Sequence, residues 1–291
     1  MLVDLVHVVT SDGVRLDGML QASHSAAPIE AGVDVACMIH GTGGSFYSST
    51  LFDHLGERML ASGVTVLRVN TRGHDGISTA VTTQGGRRIG AAYEVVDDCR
   101  HDVAAWVELL GRRGFRRIGL VGHSLGAVKC VYALAHERSL GVAGLAAISP
   151  PRLSYSHFVA SLQGGEFLET YREADRLVQA GRSATLIEVK LPLPFVVAAG
   201  GYVEKYGPDE RYNFLKYIER VPCPTLFTFG AIELESNMAF RGLPEAIDPS
   251  AAKHGRTQVV TVSGADHFYS AARGPLSDQV LSWLHSLPPA Q

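Results

Sequence analysis

Apolar positions along this chain follow two alternating patterns. Short, mostly apolar runs typical of strands lie at 33–39, 64–69, 117–121, 142–148, 225–230 and 257–262, and the run at 33–39 is typical of a strand covered on both faces. Between several of these runs, apolar residues recur at helical spacing, as they do over residues 93–111. Strands that alternate with amphipathic helices predict a mostly parallel sheet with helices on both faces. The pattern therefore favours an α/β fold with a doubly wound sheet.

The two ends of the chain extend this picture. Residues 2–9 and 14–20 have the pattern of strands, and Ser11-Asp12-Gly13 between them is a turn signal, so we expect an N-terminal antiparallel hairpin. Toward the C-terminus, helices are expected near 243–253 and over the last apolar positions, 280–287.

The alternation of strands and helices breaks after Ser149-Pro150-Pro151. Two helical patterns follow, around 157–180 with an interruption at Gly164-Gly165 and around 208–220, and a proline-containing apolar stretch separates them. We interpret this region as an insertion into one α/β domain. The predicted boundaries are 1–151 and 222–291 for the core and 152–221 for the insertion.

Composition narrows the classes of function. A hydrophobic content of 46% excludes a disordered chain, and a net charge of −3 favours neither nucleic acid nor an anionic membrane as an obligate partner. The basic run Arg112-Arg113-Gly114-Phe115-Arg116-Arg117 lies where a helix is expected to end, where cations complement the helix dipole.

The cysteines and the N-terminus bear on the compartment. The four cysteines form no Cys-x-x-Cys pair and lie in apolar patterns, which predicts buried free thiols in a reducing environment. We see neither a signal-peptide pattern nor an apolar run long enough to cross a membrane, and therefore expect a cytoplasmic protein. The cysteines are Cys37, Cys99, Cys130 and Cys223.

The pentapeptide Gly122-His123-Ser124-Leu125-Gly126 lies between a predicted strand and a predicted helix. A serine on such a strand-to-helix turn, flanked by two glycines, is the arrangement of a nucleophile elbow. The turn exposes the serine hydroxyl and directs the first N–H groups of the helix toward an oxyanion formed there. Ser124 is thus the candidate nucleophile and the N–H of Leu125 a candidate oxyanion donor, whereas His123 is expected to be a structural neighbour.

A serine hydroxyl needs a base to accept its proton and an acid to orient that base. His267 follows the last predicted strand and is the candidate base. The chain order serine, acid, histidine directs attention to the loop after Phe229-Gly230, which offers Glu233 and Glu235. We favour Glu233 and leave Glu235 open. The segment after Ile148 is weaker because it contains no carboxylate.

Taken together, these motifs resemble the α/β-hydrolase superfamily, in its serine esterase and lipase-like branch. The resemblance implies that the N–H of Thr42 is the second oxyanion donor and that residues 152–221 form a lid. The serine at position 124 disfavours the branches with an aspartate nucleophile. Gly41-Thr42-Gly43-Gly44 alone is also compatible with a phosphate-binding loop, but it lacks the Gly-Lys-Ser/Thr sequence. The landmarks are His40-Gly41-Thr42-Gly43-Gly44, the pentapeptide, Gly230-x-x-Glu233 and Gly264-x-Asp266-His267.

The resemblance implies a serine hydrolase that cleaves a carboxylic ester of a small-molecule acyl substrate through an acyl-enzyme intermediate, without a metal or an organic cofactor. A thioesterase, amidase, lactonase or carbon–carbon hydrolase would use the same residues. A non-catalytic ligand-binding protein on the same fold is the alternative from another class.

Aromatic residues near these motifs are the candidate lining of a substrate pocket, and the insertion adds one more. A tyrosine-rich predicted helix with Tyr206, Tyr212 and Tyr217 is a candidate homodimer contact. The pocket candidates are Phe46, Phe240, Phe268, Tyr269 and, from the insertion, Phe195.

Overall fold

An eight-stranded sheet forms the centre of the protein, whose computed structural model describes residues 3–23, 32–137, 140–247 and 256–288. The first two strands and the β2–β4 pair are antiparallel, and all other neighbours in this sheet are parallel. The predicted hairpin and parallel sheet are confirmed. In spatial order the strands are β1 (Asp4–Val9), β2 (Arg15–Gln21), β4 (Thr65–Val69), β3 (Val35–Ile39), β7 (Ile118–His123), β8 (Val142–Ile148), β11 (Thr225–Gly230) and β12 (Thr257–Val262).

Helices cover both faces of this sheet, as the alternating pattern predicts. Alternate residues of β3 belong to different cores, with Cys37 in one and Met38 in the other. Besides residues from the regions 152–221 and 239–247, the Cys37 core contains buried residues of two helices that flank the sheet, and the Met38 core contains those of two others. The helices are α2 (Cys99–Arg112) and α3 (Leu125–His136) on the first face, and α1 (Thr50–Ala61) and α8 (Arg273–Ser286) on the second.

The region between β4 and α2 differs from the prediction. The helix expected over 93–111 begins only at Cys99, after a 3-10 turn at Val96–Asp98. Gly90, with φ at 103°, starts a turn in which the Tyr93 N–H donates to the Gly90 carbonyl, so the chain is not yet helical there. The same region contains an unpredicted hairpin, β5 (Ser78–Thr82) and β6 (Gly85–Ile89), whose mostly exposed residues carry no strong apolar signal.

The region 152–221 contains three helices and one hairpin. The pattern around 157–180 corresponds to two helices separated before Gly164. The helix predicted over 208–220 is wrong: two 3-10 turns lie there, because the side chain of Asn213 accepts the Leu215 N–H and the Tyr217 N–H bonds the carbonyl three residues back. The elements are α4 (Tyr155–Val159), α5 (Gly164–Gln179), β9 (Leu186–Val189), β10 (Phe195–Ala198) and α6 (Ala199–Tyr206).

The tyrosines proposed as a dimer contact are mostly interior residues. Tyr206 and Tyr212 are buried, and Tyr217 is half-buried. The ring of Tyr212 lies 5.2 Å from that of Tyr132 on α3, and the ring of Tyr206 lies 4.9 Å from that of Tyr202. This expectation is therefore wrong for Tyr206 and Tyr212, whose rings pack inside the protein.

Two short helical segments follow β11. The first, α7 (Ala231–Ser236), contains the candidate acid and replaces the loop expected after Phe229-Gly230. The second is helical at 243–247, and the rest of the helix expected near 243–253 lies outside the described residues.

All four cysteines are buried and free, as predicted. Burial raises the pKa of Cys37 to about 12, so this thiol stays protonated near neutral pH. Among the described helices, none is long and apolar enough to cross a membrane.

Three charged side chains, Glu94, Lys129 and Lys205, are buried, and Lys205 comes from the region 152–221. The Lys129 ammonium bonds one carboxylate oxygen of Glu94, and Lys205 Nζ lies 3.9 Å from the other. Burial lowers the pKa of Lys205, and its ammonium has no hydrogen-bond partner among the described residues. Burial opposes ionisation of Glu94, but the two lysines hold its pKa below the ordinary value. The single carboxylate of Glu94 thus lies beside two buried ammonium groups and offsets their charge.

We predict that Glu94→Gln lowers the free energy of unfolding by about 3–5 kcal/mol, because it leaves two buried ammonium groups without a counter-charge. Lys205→Met, which leaves the Lys129–Glu94 pair intact, should change it by less than about 1 kcal/mol or raise it. Urea unfolding of both variants measures the difference. Equal losses of unfolding free energy in the two variants would contradict the role of Glu94 as the shared counter-charge.

Candidate functional site

Ser124 lies on the turn between β7 and α3 with φ at 56° and ψ at −128°. A non-glycine residue in this conformation costs about 1–3 kcal/mol, which the surrounding packing must offset. A methyl group on Gly122 would come within 2.6 Å of the Ala127 Cα, and one on Gly126 would overlap the carbonyl oxygens of Ile39 and His40. The spacing Gly-x-Ser-x-Gly therefore follows from the close approach of the turn to its neighbours.

The structure brings the predicted serine, histidine and glutamate into one hydrogen-bonded series. His267 Nε2 lies 3.0 Å from Ser124 Oγ, and His267 Nδ1 lies 2.7 Å from Glu233 Oε2. His267 follows β12, and Glu233 lies in α7 directly after β11. With a neutral imidazole, Nδ1–H donates to the carboxylate and Nε2 accepts the serine hydroxyl. The geometry is that of a nucleophile, a base and an orienting acid.

The two candidate acids lie on different sides of the helix α7. Glu233 is 2% exposed and faces His267, whereas Glu235 is exposed. Two residues on a helix point about 200° apart, so the two carboxylates cannot share one site. The structure thus places Glu233, not Glu235, beside the histidine.

The second oxygen of the Glu233 carboxylate accepts two hydrogen bonds. The Gly230 N–H donates to Oε1 at 2.7 Å, and the hydroxyl of Ser149 donates to it at 2.5 Å. These donors offset the cost of burying a carboxylate. Sequence reasoning missed Ser149, because the segment after Ile148 was searched only for a carboxylate. Its position after β8 was the available signal.

The loop after β3 lies against the serine, because a methyl group on Gly41 would come within 2.8 Å of Ser124 Cβ. His40 Nδ1–H donates to the Gly41 carbonyl at 2.8 Å, and His40 Nε2 accepts the Thr71 N–H at 3.0 Å. Burial lowers the pKa of His40 to about 3, so the ring stays neutral. In a trans peptide the C=O and the N–H point in opposite directions, so His40 also fixes the direction of the Thr42 N–H.

The buried Lys129 ammonium supports the loop after β3 through Thr71. Lys129 Nζ donates to Thr71 Oγ1 at 2.9 Å, and the same hydroxyl lies 3.2 Å from His40 Nε2. The ammonium therefore helps to hold the backbone and side chain of Thr71 beside the histidine.

His123 is a structural neighbour, as expected. Its Nε2–H donates to the backbone carbonyl of His267 at 2.9 Å, and burial lowers its pKa to about 3. A neutral ring with this single bond fixes the loop that carries His267.

A cavity of about 550 Å³ opens beside Ser124. Thr42 and Leu125 line it, as do Phe240 and Phe268 of the predicted pocket residues. The ring of Phe240 lies 5.0 Å from that of His267. Among the described residues that line it, there is no Asp, Glu, Lys or Arg. The other apolar lining residues are Leu51, Phe52, Pro151, Leu153, Pro192, Leu193, Tyr206 and Ala239.

The other three predicted pocket residues lie outside this lining. The backbone N–H of Phe46 donates to the Asn70 side chain, and the Phe195 ring lies 5.5 Å from Lys205 Nζ. Tyr269 is fully buried behind the site. Their aromatic character was visible in the sequence, but their orientation depends on distant partners.

Among the residues that the structure describes, no group of three or more His, Cys, Asp or Glu side chains could hold a metal ion.

Comparison with known families gives one match over most of the chain. The model of a family described as "Alpha/beta hydrolase family" matches residues 38–278. The sequence matches no curated protein at a significant level.

Solved structures share this fold at low sequence identity. Est1E from Butyrivibrio proteoclasticus, determined with bound ferulic acid, has a TM-score of 0.65 at 16% identity, over 96% of this chain and 98% of that one. The Pyrococcus furiosus esterase PF2001 has a TM-score of 0.65 at 17% sequence identity, over 98% of this chain and 91% of that one. The alpha/beta hydrolase GrgF from Penicillium sp. sh18 has a TM-score of 0.68 at 14% sequence identity, over 99% of both chains.

Proposed function

The chain belongs to the alpha/beta hydrolase family, and from that basis we propose that it is a serine hydrolase that cleaves carboxylic esters. The observation that carries the proposal is the hydrogen-bonded series Ser124, His267 and Glu233 at the wall of an apolar cavity. Two of the similar structures are described as esterases or as binding ferulic acid, which agrees with this chemistry.

In the first half of the reaction, Ser124 Oγ attacks the ester carbonyl while His267 Nε2 takes the hydroxyl proton. His267 then gives that proton to the departing alcohol, and the carbon–oxygen bond breaks to leave an acyl-serine. In the second half, water attacks the acyl group with His267 again as base, which releases the acid and restores Ser124. Glu233 orients His267 and stabilises its charged form.

The negative oxygen formed in each half needs fixed donors. Thr42 and Leu125 line the cavity together with Ser124, and we assign this role to their N–H groups. His40 supports it by holding the Gly41 carbonyl away from the site. Donors already in place need no reorganisation as the charge develops, and one is worth about 3–4 kcal/mol.

The region 152–221 acts as a lid or cap over this site in our proposal. Pro192, Leu193 and Tyr206 from this region contribute to the cavity wall. Leu193 is partly exposed at the same time, as expected for a residue at the mouth of a pocket.

The lining favours an uncharged, largely apolar substrate, because an ionised group placed there would find no opposite charge. A thioester, amide or lactone with the same character would meet the same residues.

We predict that Ser124→Ala abolishes labelling by a fluorophosphonate and lowers p-nitrophenyl ester turnover at least about 10⁴-fold, since Ser124 carries the hydroxyl that is paired with His267 Nε2. Ser270→Ala, which removes an exposed hydroxyl near the same histidine, is the control and should label normally. Mass spectrometry locates the adduct. A wild-type protein that does not label would overturn the proposal and favour the non-catalytic binding protein.

Glu233→Gln should lower kcat/KM about 10³- to 10⁴-fold, because the amide cannot stabilise the charged imidazole and favours the wrong tautomer. Glu235→Gln, two residues away and exposed, should stay within about twofold of wild type. Ester hydrolysis under identical conditions compares them. A loss confined to Glu235→Gln would show that the acid has been misassigned.

p-Nitrophenyl butyrate should be hydrolysed with a kcat/KM at least about 100-fold above that of mono-p-nitrophenyl succinate, because burying an unpaired carboxylate is costly. Leu193→Arg supplies an opposite charge at the cavity wall and should narrow this ratio. A screen of neutral chain lengths, thioesters and lactones, run in parallel, measures the bond preference. Equal rates for the neutral and the charged ester would contradict the proposed substrate character.

A further inference from the structure

Ser149 occupies an unusual position at the end of β8. Its φ is 49°, in the left-handed region that side chains rarely adopt, and the residue is fully buried. Its N–H donates to the Thr228 carbonyl at 2.8 Å, which continues the β8–β11 pairing one residue further. Such strain persists where the surroundings hold it, often next to a functional site. Ser124 is strained in the same way, with φ at 56°.

The hydroxyl of Ser149 has two polar partners in the protein interior. Its Oγ lies 2.5 Å from Glu233 Oε1 and 2.9 Å from the Tyr269 hydroxyl. The Tyr269 hydroxyl also lies 3.1 Å from Thr228 Oγ1. All four residues are buried. Behind the candidate acid there is thus a chain of three hydroxyl groups.

The number of protons gives this chain one direction. An ionised Glu233 only accepts, so Ser149 must donate its single proton to Oε1 and can only accept from Tyr269. Burial raises the pKa of Tyr269 well above its ordinary value, so its hydroxyl stays protonated and donates to Ser149. Thr228 in turn donates to Tyr269. Ser149 and Tyr269 therefore each accept from one hydroxyl and donate to the next group, and Thr228 is the first donor of the series.

We propose that Ser149, supported by Tyr269, is a positioning residue that holds the Glu233 carboxylate against His267. This inference rests on the proposed serine hydrolase. The Gly230 N–H reaches Oε1 from the end of β11, and the Ser149 hydroxyl reaches it from the end of β8. Two donors from different strands fix the plane of the carboxylate, so that Oε2 faces His267 Nδ1. A glutamate has one more rotatable bond than an aspartate, and the second donor removes that freedom.

Two substitutions separate the hydroxyl from the backbone strain. Ser149→Ala removes the hydroxyl and keeps the strained conformation, and Ser149→Gly removes the hydroxyl and relieves the strain. Both should lower kcat about 10- to 100-fold and leave KM for a neutral p-nitrophenyl ester within about threefold. The melting temperature of Ser149→Gly should exceed that of Ser149→Ala. Tyr269→Phe, which leaves the Ser149 donor in place, should lower kcat less than either.

A double-mutant cycle tests whether Ser149 acts through the carboxylate. In the Glu233→Gln background, Ser149→Gly should change kcat by less than about twofold, because there is no carboxylate left to hold. A purely structural role would give the same loss in both backgrounds and would overturn the inference, as would a wild-type kcat for Ser149→Gly. These outcomes require an active, fluorophosphonate-labelled wild type, so failure of the inference is distinguishable from failure of the proposed function.

Discussion

The close approach of the serine turn to the loop after β3 is the constraint on which the candidate site depends. Gly126 has backbone carbonyls of Ile39 and His40 where a side chain would be, and Gly41 lies against Ser124 in the same way. β3 and β7 are parallel neighbours, so their carboxyl ends, and the loops that follow them, meet at one edge of the sheet. Small residues let the two loops touch, which brings Thr42 and Leu125 into the wall of one cavity with Ser124.

Buried polar partners then hold each part of the site in one orientation. His40 is held between the Gly41 carbonyl and Thr71, His267 by its backbone bond from His123, and Glu233 by Gly230 and Ser149. Leaving any of these groups unpaired in the interior would cost about 1–3 kcal/mol, so the partners restrict motion as well as lower the energy. The Lys129–Glu94–Lys205 cluster links this support to helix α6, which carries Lys205.

Elements with strong local signals were predictable, and elements set by distant contacts were not. The six apolar runs coincide with strands. Five of them are buried nearly throughout, and such a strand needs nearly every side chain to be apolar, whereas β12 at the edge of the sheet is only partly buried. The helix expected over 208–220 is absent because the side chain of Asn213 accepts the backbone N–H of Leu215 and favours a 3-10 turn there. Tyr212 in this segment packs against the ring of Tyr132. The β5–β6 hairpin was not predicted, because its mostly exposed residues show no alternation of apolar and polar positions.

The sequence by itself determined the strand-to-helix turn around Ser124 and the positions of His267 and Glu233 after their strands, because glycine spacing and strand ends are local properties of the chain. Only the tertiary structure decided which side chains surround them. Phe240 and Phe268 line the cavity while Tyr269 lies behind the acid, and Ser149 reaches Glu233 across 84 positions of sequence. Such contacts depend on how strands β8 and β11 pair and on what packs over them, which no local pattern encodes.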